Sequence, residues 1–124
     1  MTKHTRQQQA IADAFHASAV PLSIPELVEA ARTKAPTLGQ ATAYRAVNRL
    51  LDAGELRPVK MPGEPVRYEP AGERHHHFFK CNDCGELFEV DGCDALLSRL
   101  VPPGFTLEAH EVALFGRCRD CGDG

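Results

Sequence analysis

Four cysteines form two matching pairs, Cys81-Asn-Asp-Cys84-Gly85 and Cys118-Arg-Asp-Cys121-Gly122. A C-x-x-C turn lets two thiolates grip one ion, and the following glycine permits the left-handed backbone often needed there. Two such knuckles make a closed, tetrahedral four-thiolate site, which suits structural Zn²⁺ and leaves no open position for catalysis. The 33 residues between the knuckles exceed a simple zinc ribbon, so the ion is expected to tie an early strand to a late segment. An iron site or a redox dithiol is the alternative, although one cysteine pair would suffice for redox work. Just upstream stand three adjacent histidines, His75-His-His77. If they lie on a strand, side chains alternate: His75 and His77 face one way, His76 and Phe78 the other. One strand can then feed two metal sites, and His110, in a strand-like late stretch, can complete the first. Neutral imidazoles suit Zn, Fe, Ni or Cu, and the leftover fifth thiol, Cys93, would bias that site toward zinc. The plainer reading is an exposed polar run and a small buried thiol.

The elements that must carry these groups are legible from period and punctuation. Thr5 to about Ala17 reads as a helix with Ile11, Ala14 and Phe15 on one face. Ser23-Ile-Pro-Glu26 has the S-x-x-E capping-box pattern with proline in the first turn, and Leu27, Val28 and Ala31 follow as an apolar stripe. Pro36-Thr-Leu-Gly39 breaks the chain. A third helix runs from Gln40 to Ala53, with Ala43, Val47, Leu50 and Leu51 at helical spacing and Gly54 at its C′ position. The period then changes: strands at 56–61 and 66–69 flank the turn Pro62-Gly-Glu-Pro65. Three short helices followed by a hairpin are the parts of a winged helix-turn-helix. In the second half, strands are expected at His75–Cys81, Glu86–Val90 and Phe105–Phe115. A short helix over Ala95–Val101 is ended by Pro102-Pro-Gly104. The expected fold is α+β: a winged-helix domain over residues 1–70, a linker at 71–74, and a small α/β domain over 75–124 bearing the four-cysteine site.

Charge divides along the same boundary. Residues 1–62 hold eight Lys/Arg against five Asp/Glu, a net of +3, while residues 63–124 hold six against twelve, a net of −6. A basic half beside an acidic, His- and Cys-rich half suggests a polyanion for one and a cation for the other. No run reaches the ~20 apolar residues of a membrane span, and the N-terminus, MTKHTRQQQAIADAF, is polar then amphipathic rather than a secretory signal. A cytoplasmic protein without a membrane partner is expected.

At this point the residues resemble the ferric uptake regulator family of bacterial metalloregulators. Ala41-Thr-Ala-Tyr44-Arg45-Ala-Val-Asn48 through Gly54 is similar to that family's recognition helix. His75 through Gly85 resembles its His-rich strand running into the first knuckle, and Ala109-His110 through Leu114-Phe-Gly116-Arg-Cys118 its late strand. The resemblance spans nearly the whole chain and implies a homodimer that binds a palindromic double-stranded DNA operator when loaded with a divalent metal. His75, His77 and His110 match ligands of a regulatory site. The acidic fourth ligand has no match, since Leu96 falls at its place, and Cys93, with Asp94 or Asp91 as substitutes, is the candidate to fill it. Glu69, His76 and Glu89 match ligands of a second regulatory site at the junction between domains. That second site departs from the family: Phe78 replaces a histidine, and Pro21-Leu22 stand where another ligand is common, with His16 the available substitute. The first helix departs too, with Gln8 or Gln9 near a position often held by arginine.

The expected function is a metal-dependent repressor, not an enzyme, with structural Zn²⁺ and a regulatory Zn²⁺ or Fe²⁺. Arg45, Arg49, Arg57 and Lys60 are expected to meet phosphates, and Gln40, Thr42 and Tyr44 to touch base edges or the thymine methyl. Zinc is the expected signal. An iron- or peroxide-responsive regulator, or a constitutive zinc-stabilised DNA-binding or adaptor dimer, is the alternative. A thiol enzyme using Cys93 is a third reading, for which no Cys-His-Asn or Ser-His-Asp arrangement is present.

Overall fold

Helix α1 spans Lys3–Ala17, α2 Ile24–Ala31 and α3 Gln40–Asp52 in a computed structural model that describes residues 3–72 and 76–122. The α2 start follows from its sequence. Ser23 Oγ accepts from the Glu26 backbone N–H at 3.4 Å, and the Glu26 carboxylate accepts from the Ser23 N–H at 2.9 Å, so two orphan helix donors are satisfied reciprocally. At the end of α3, Gly54 takes φ +75°; its N–H donates to the Leu51 carbonyl and the Glu55 N–H to the Leu50 carbonyl. That pair of bonds is a Schellman stop, which a Cβ at position 54 would strain.

The hairpin follows at once. Strand β1, Leu56–Val59, pairs antiparallel with β2, Arg67–Pro70, placing Leu56 opposite Pro70, Arg57 opposite Glu69 and Val59 opposite Arg67. Leu22 adds a third rung, exchanging both backbone bonds with Tyr68 at 2.9 and 2.8 Å. The three helices and β1 close over one core, in which Ile11, Leu27, Leu38 and Val47 are fully buried. Each such side chain contributes about 1.5–3 kcal/mol by leaving water. Arg67 is buried at the base of this unit, its guanidinium 3.2 Å from the Glu64 carboxylate in the hairpin turn and 3.4 Å from Glu26 of α2.

The chain divides into two units, Met1–Glu73 and Arg74–Gly124. In the second, β3 (His77–Cys81), β4 (Leu87–Val90) and β5 (Ala113–Gly116) build a three-stranded sheet of order β4-β3-β5, and α4 (Cys93–Leu100) is a short helix between β4 and β5 in the chain. β3 and β4 are antiparallel, with Phe78 opposite Glu89. β5 lies parallel to β3, with Phe78 opposite Ala113 and Cys81 opposite Gly116. Gly116 lets the Phe79 ring approach closely, since a Cβ would stand 2.9 Å from the ring tip and the ring would have to shift.

One expected element is corrected. The late strand was expected over Phe105–Phe115, but only Ala113–Gly116 is strand, and His110 lies outside it. The ladder explains this: β3 starts at His77, so residues before 113 have no strand of this sheet to pair with. α4 also starts at Cys93 rather than Ala95, Gly92 supplying a left-handed residue (φ +89°) before it.

Candidate metal centres and nucleic-acid interface

The turn after β3 and the segment after β5 deliver the four thiols to one point. The Sγ atoms of Cys81, Cys84, Cys118 and Cys121 all lie within 4.8 Å of one another. Those of Cys84 and Cys118 are 3.8 Å apart, close to the S···S edge of about 3.8 Å in a tetrahedron of ~2.3 Å Zn–S bonds. Gly85 takes φ +78°, which lets the first knuckle turn back after Cys84. Backbone N–H groups of Cys84 and Cys118 both point at the Cys81 sulfur, each at 3.4 Å. These donors stabilise the thiolate and bring the Cys81 thiol down to about 6. At Cys84 the Glu86 N–H pulls the same way, but contacts with Cys81, desolvation and Cys118 outweigh it and the thiol is raised. Cys121 is pushed up to about 12 by hydrogen bonds with Cys118 and Cys81. Four sulfurs so close cannot all ionise without a cation among them, which is the electrostatic condition a metal relieves. The donor set fits zinc.

A second convergence lies in the same unit. His77 opens β3, and its Nε2 lies 3.1 Å from Nε2 of His110, the rings 5.1 Å apart and tilted. Two imidazole nitrogens at this separation match adjacent corners of a tetrahedron with ~2.0–2.1 Å Zn–N bonds, whose edge is about 3.3 Å. The structure thus brings together two of the four expected ligands of the first regulatory site. His75 lies outside the described residues, as do the side chains of Cys93 and Asp94, although Cys93 heads α4. Leu96 is 54% exposed on α4.

His76, just before β3, meets different side chains from His77. Its ring packs edge-on against Phe78 at 5.1 Å, and Nδ1 lies 2.9 Å from the Glu89 carboxylate. Glu69, the remaining expected member of the second site, belongs to the first unit. It is buried on β2, and its carboxylate accepts from Arg57 Nε at 2.8 Å. Sequence reasoning assigned Arg57 to phosphates and missed this partner. The hairpin register, which places the two residues opposite each other, was the signal that could have found it. It also missed the burial of Arg67 against Glu64 and Glu26.

Helix α3 separates its faces sharply. Ala43, Ala46 and Val47 are buried, while Gln40, Tyr44, Arg45 and Arg49 stand exposed and Thr42 is half-buried. Tyr44 is 55% exposed, so its ring is not packed into the helix core. Arg45 donates to Thr42 Oγ1 at 3.2 Å, aligning the two on one turn. Lys60 is exposed just past β1. Among the described residues, no helix is long and apolar enough to cross a membrane.

The model of the family described as the ferric uptake regulator family matches residues 1–115. The transcriptional regulator FurA of Mycobacterium tuberculosis is 32% identical over 122 residues, covering 94% of this chain and 81% of that protein. Among solved structures, a zinc-bound manganese uptake regulator superposes with a TM-score of 0.81 at 26% identity, covering 90% of this chain and 87% of the other. FurB from M. tuberculosis, described as a zinc uptake regulator, gives a TM-score of 0.53 at 27% identity, with 97% and 95% covered.

Proposed function

Since the chain belongs to the ferric uptake regulator family, we propose that it is a zinc-dependent repressor that binds a palindromic operator as a homodimer. It is a metal-responsive transcriptional regulator and not an enzyme. The observation that carries the finer reading is the meeting of His77 and His110 at 3.1 Å, apart from the four-thiol cluster. One closed site is enough to hold a fold together; a second, imidazole-based site is free to exchange its ion. His75 and Cys93 are its proposed remaining ligands, and a thiolate beside imidazoles favours zinc over iron.

Residues 105–112 support the dimer. They alternate like a strand, pair with no strand among the described residues, and leave Phe105 70% and Leu107 47% exposed; Leu96 and Leu100 of α4 are exposed as well. A second copy would cover such a surface. Gln40, Thr42 and Tyr44 then face base edges while Arg45, Arg49 and Lys60 hold phosphates, and metal raises operator affinity by favouring the DNA-competent dimer.

The test is operator binding at fixed salt with the four-thiol site kept zinc-loaded. Added zinc should tighten binding by wild type at least tenfold, and His110→Ala should abolish that response while retaining staple zinc and dimer. Equal binding with and without metal would favour the constitutive zinc-stabilised dimer instead. A cobalt-loaded regulatory site should show a thiolate charge-transfer band that Cys93→Ala removes; an unchanged spectrum would leave iron as strong a candidate as zinc.

A further inference from the structure

Glu69 is a buried carboxylate, and a cation beside it offsets the cost of removing its charge from water. The resemblance assigns that cation to a second regulatory metal, with His76 and Glu89 as co-ligands. Within its own unit, however, Glu69 already faces one. Arg57 Nε lies 2.8 Å from its Oε1, and Arg57 Nη1 lies 3.4 Å from the Gly72 carbonyl. The pairing is built into the backbone, because Arg57 and Glu69 are direct cross-strand neighbours in the β1–β2 ladder. A guanidinium here supplies charge and planar donors to the carboxylate, and it ties the first strand of the hairpin to the chain leaving it.

The unit-2 members of the expected ligand set are engaged in the same manner. His76 and Glu89 hold each other at 2.9 Å, and the position where the family offers another imidazole carries Phe78, which is buried with its ring against His76. An apolar ring in that place cannot ligate.

We infer that in this chain the Arg57 guanidinium takes the place of the second regulatory metal at Glu69. The hairpin-to-linker geometry that a metal would fix conditionally is thereby fixed permanently, and metal responsiveness is confined to the site containing His77 and His110. The last clause rests on the function proposed above; the assignment at Glu69 does not.

The deciding experiment is competitive metal titration of the full-length, staple-loaded protein with Zn²⁺ and with Co²⁺, counting equivalents beyond the structural ion. Wild type and Glu69→Gln should each bind one further equivalent with affinities equal within twofold. Saturating metal should raise the melting temperatures of wild type, Glu69→Gln and Arg57→Ala by the same increment, although both variants start lower. Arg57→Ala and Glu69→Gln should be non-additive in that starting temperature, with a coupling that metal does not change. A second further equivalent in wild type that is lost in Glu69→Gln, or a metal-induced increment reduced in Glu69→Gln, overturns the inference. If no equivalent beyond the structural ion binds either protein, the proposed function fails while the assignment at Glu69 stands.

Discussion

In the first unit twelve hydrophobic residues, from Ala10 to Leu56, close into one buried cluster. In the second, Phe78, Cys81 and Leu87 are the buried hydrophobic residues among those described, while Phe88, Leu96, Leu100, Phe105, Leu107, Leu114 and Phe115 stand exposed. The second unit is also the shorter, Arg74–Gly124 against Met1–Glu73, and a shorter chain buries a smaller share of its surface. The first unit owes its stability to apolar burial, as any small helical domain does. The second cannot, and what it has instead is a point where four thiols from both ends of the unit meet. The difference teaches that the first half holds itself together by apolar burial, whereas the second leaves most of its large apolar side chains exposed and gathers four thiols at one point instead.

Removing the ion is the strongest way to break that contrast. Cys84→Ser, or extraction of zinc from the wild type, should unfold the second unit, since structural zinc is worth roughly 10 kcal/mol or more in small domains. The first unit should keep its protected amides. Hydrogen exchange resolved by residue checks both statements at once, and a folded second unit in Cys84→Ser would refute the staple. The converse perturbation is smaller. Leu27 is fully buried in the first core, so Leu27→Ala should cost about 2–5 kcal/mol and show as a lower denaturant midpoint in helix signal, with zinc content unchanged.

Function sharpens the contrast next. Arg45→Ala, on the exposed face of α3, should weaken operator binding by about 1–3 kcal/mol without altering zinc content or oligomeric state. Lys60→Ala should weaken all DNA about equally and lower the salt slope by about one unit. Unchanged affinity for Arg45→Ala at fixed salt would mean that α3 is not the docking helix.

How much of this was legible in the sequence follows from how far each signal reaches. Ser23 and Glu26 are three residues apart, and Gly54 ends the helix it follows, so local chemistry alone placed α2 and the end of α3. The staple was legible because two identical knuckles need only each other. The start of the last strand was not, because a strand exists only where a neighbour runs: residues 105–112 carry the alternation, but β3 begins too late to pair with them. Parallel pairing of β5 with β3 was hidden for the same reason, and with it the close approach of Gly116 to the Phe79 ring. Arg57 and Arg67 read as surface cations by composition. Only the hairpin register, which sets Arg57 against Glu69 and turns Arg67 inward toward Glu64 and Glu26, shows them as structural ions.

The smallest expected effect separates the units by pH. At Glu26 partial burial raises the carboxyl pKa, but the Ser23 backbone N–H, the Ser23 hydroxyl and Arg67 outweigh it, leaving it below its ordinary value. A carboxyl depressed by folding contributes stability that is fully present above its unfolded value. That contribution is lost as pH falls through the lower folded value. Half of the Glu26 side chain is exposed, so the contribution is on the order of a few tenths of a kcal/mol. Glu26→Gln keeps an acceptor for the Ser23 N–H and removes the charge facing Arg67. It should therefore lower the melting temperature of the first unit slightly at pH 7, and the gap from wild type should close as pH drops below the ordinary glutamate range. The second unit should show no such mutant-specific closure, because its acid sensitivity comes from protons competing with metal for thiolates. A gap that stays constant from neutral pH down through that range would mean that the Ser23–Glu26 box holds without its charge.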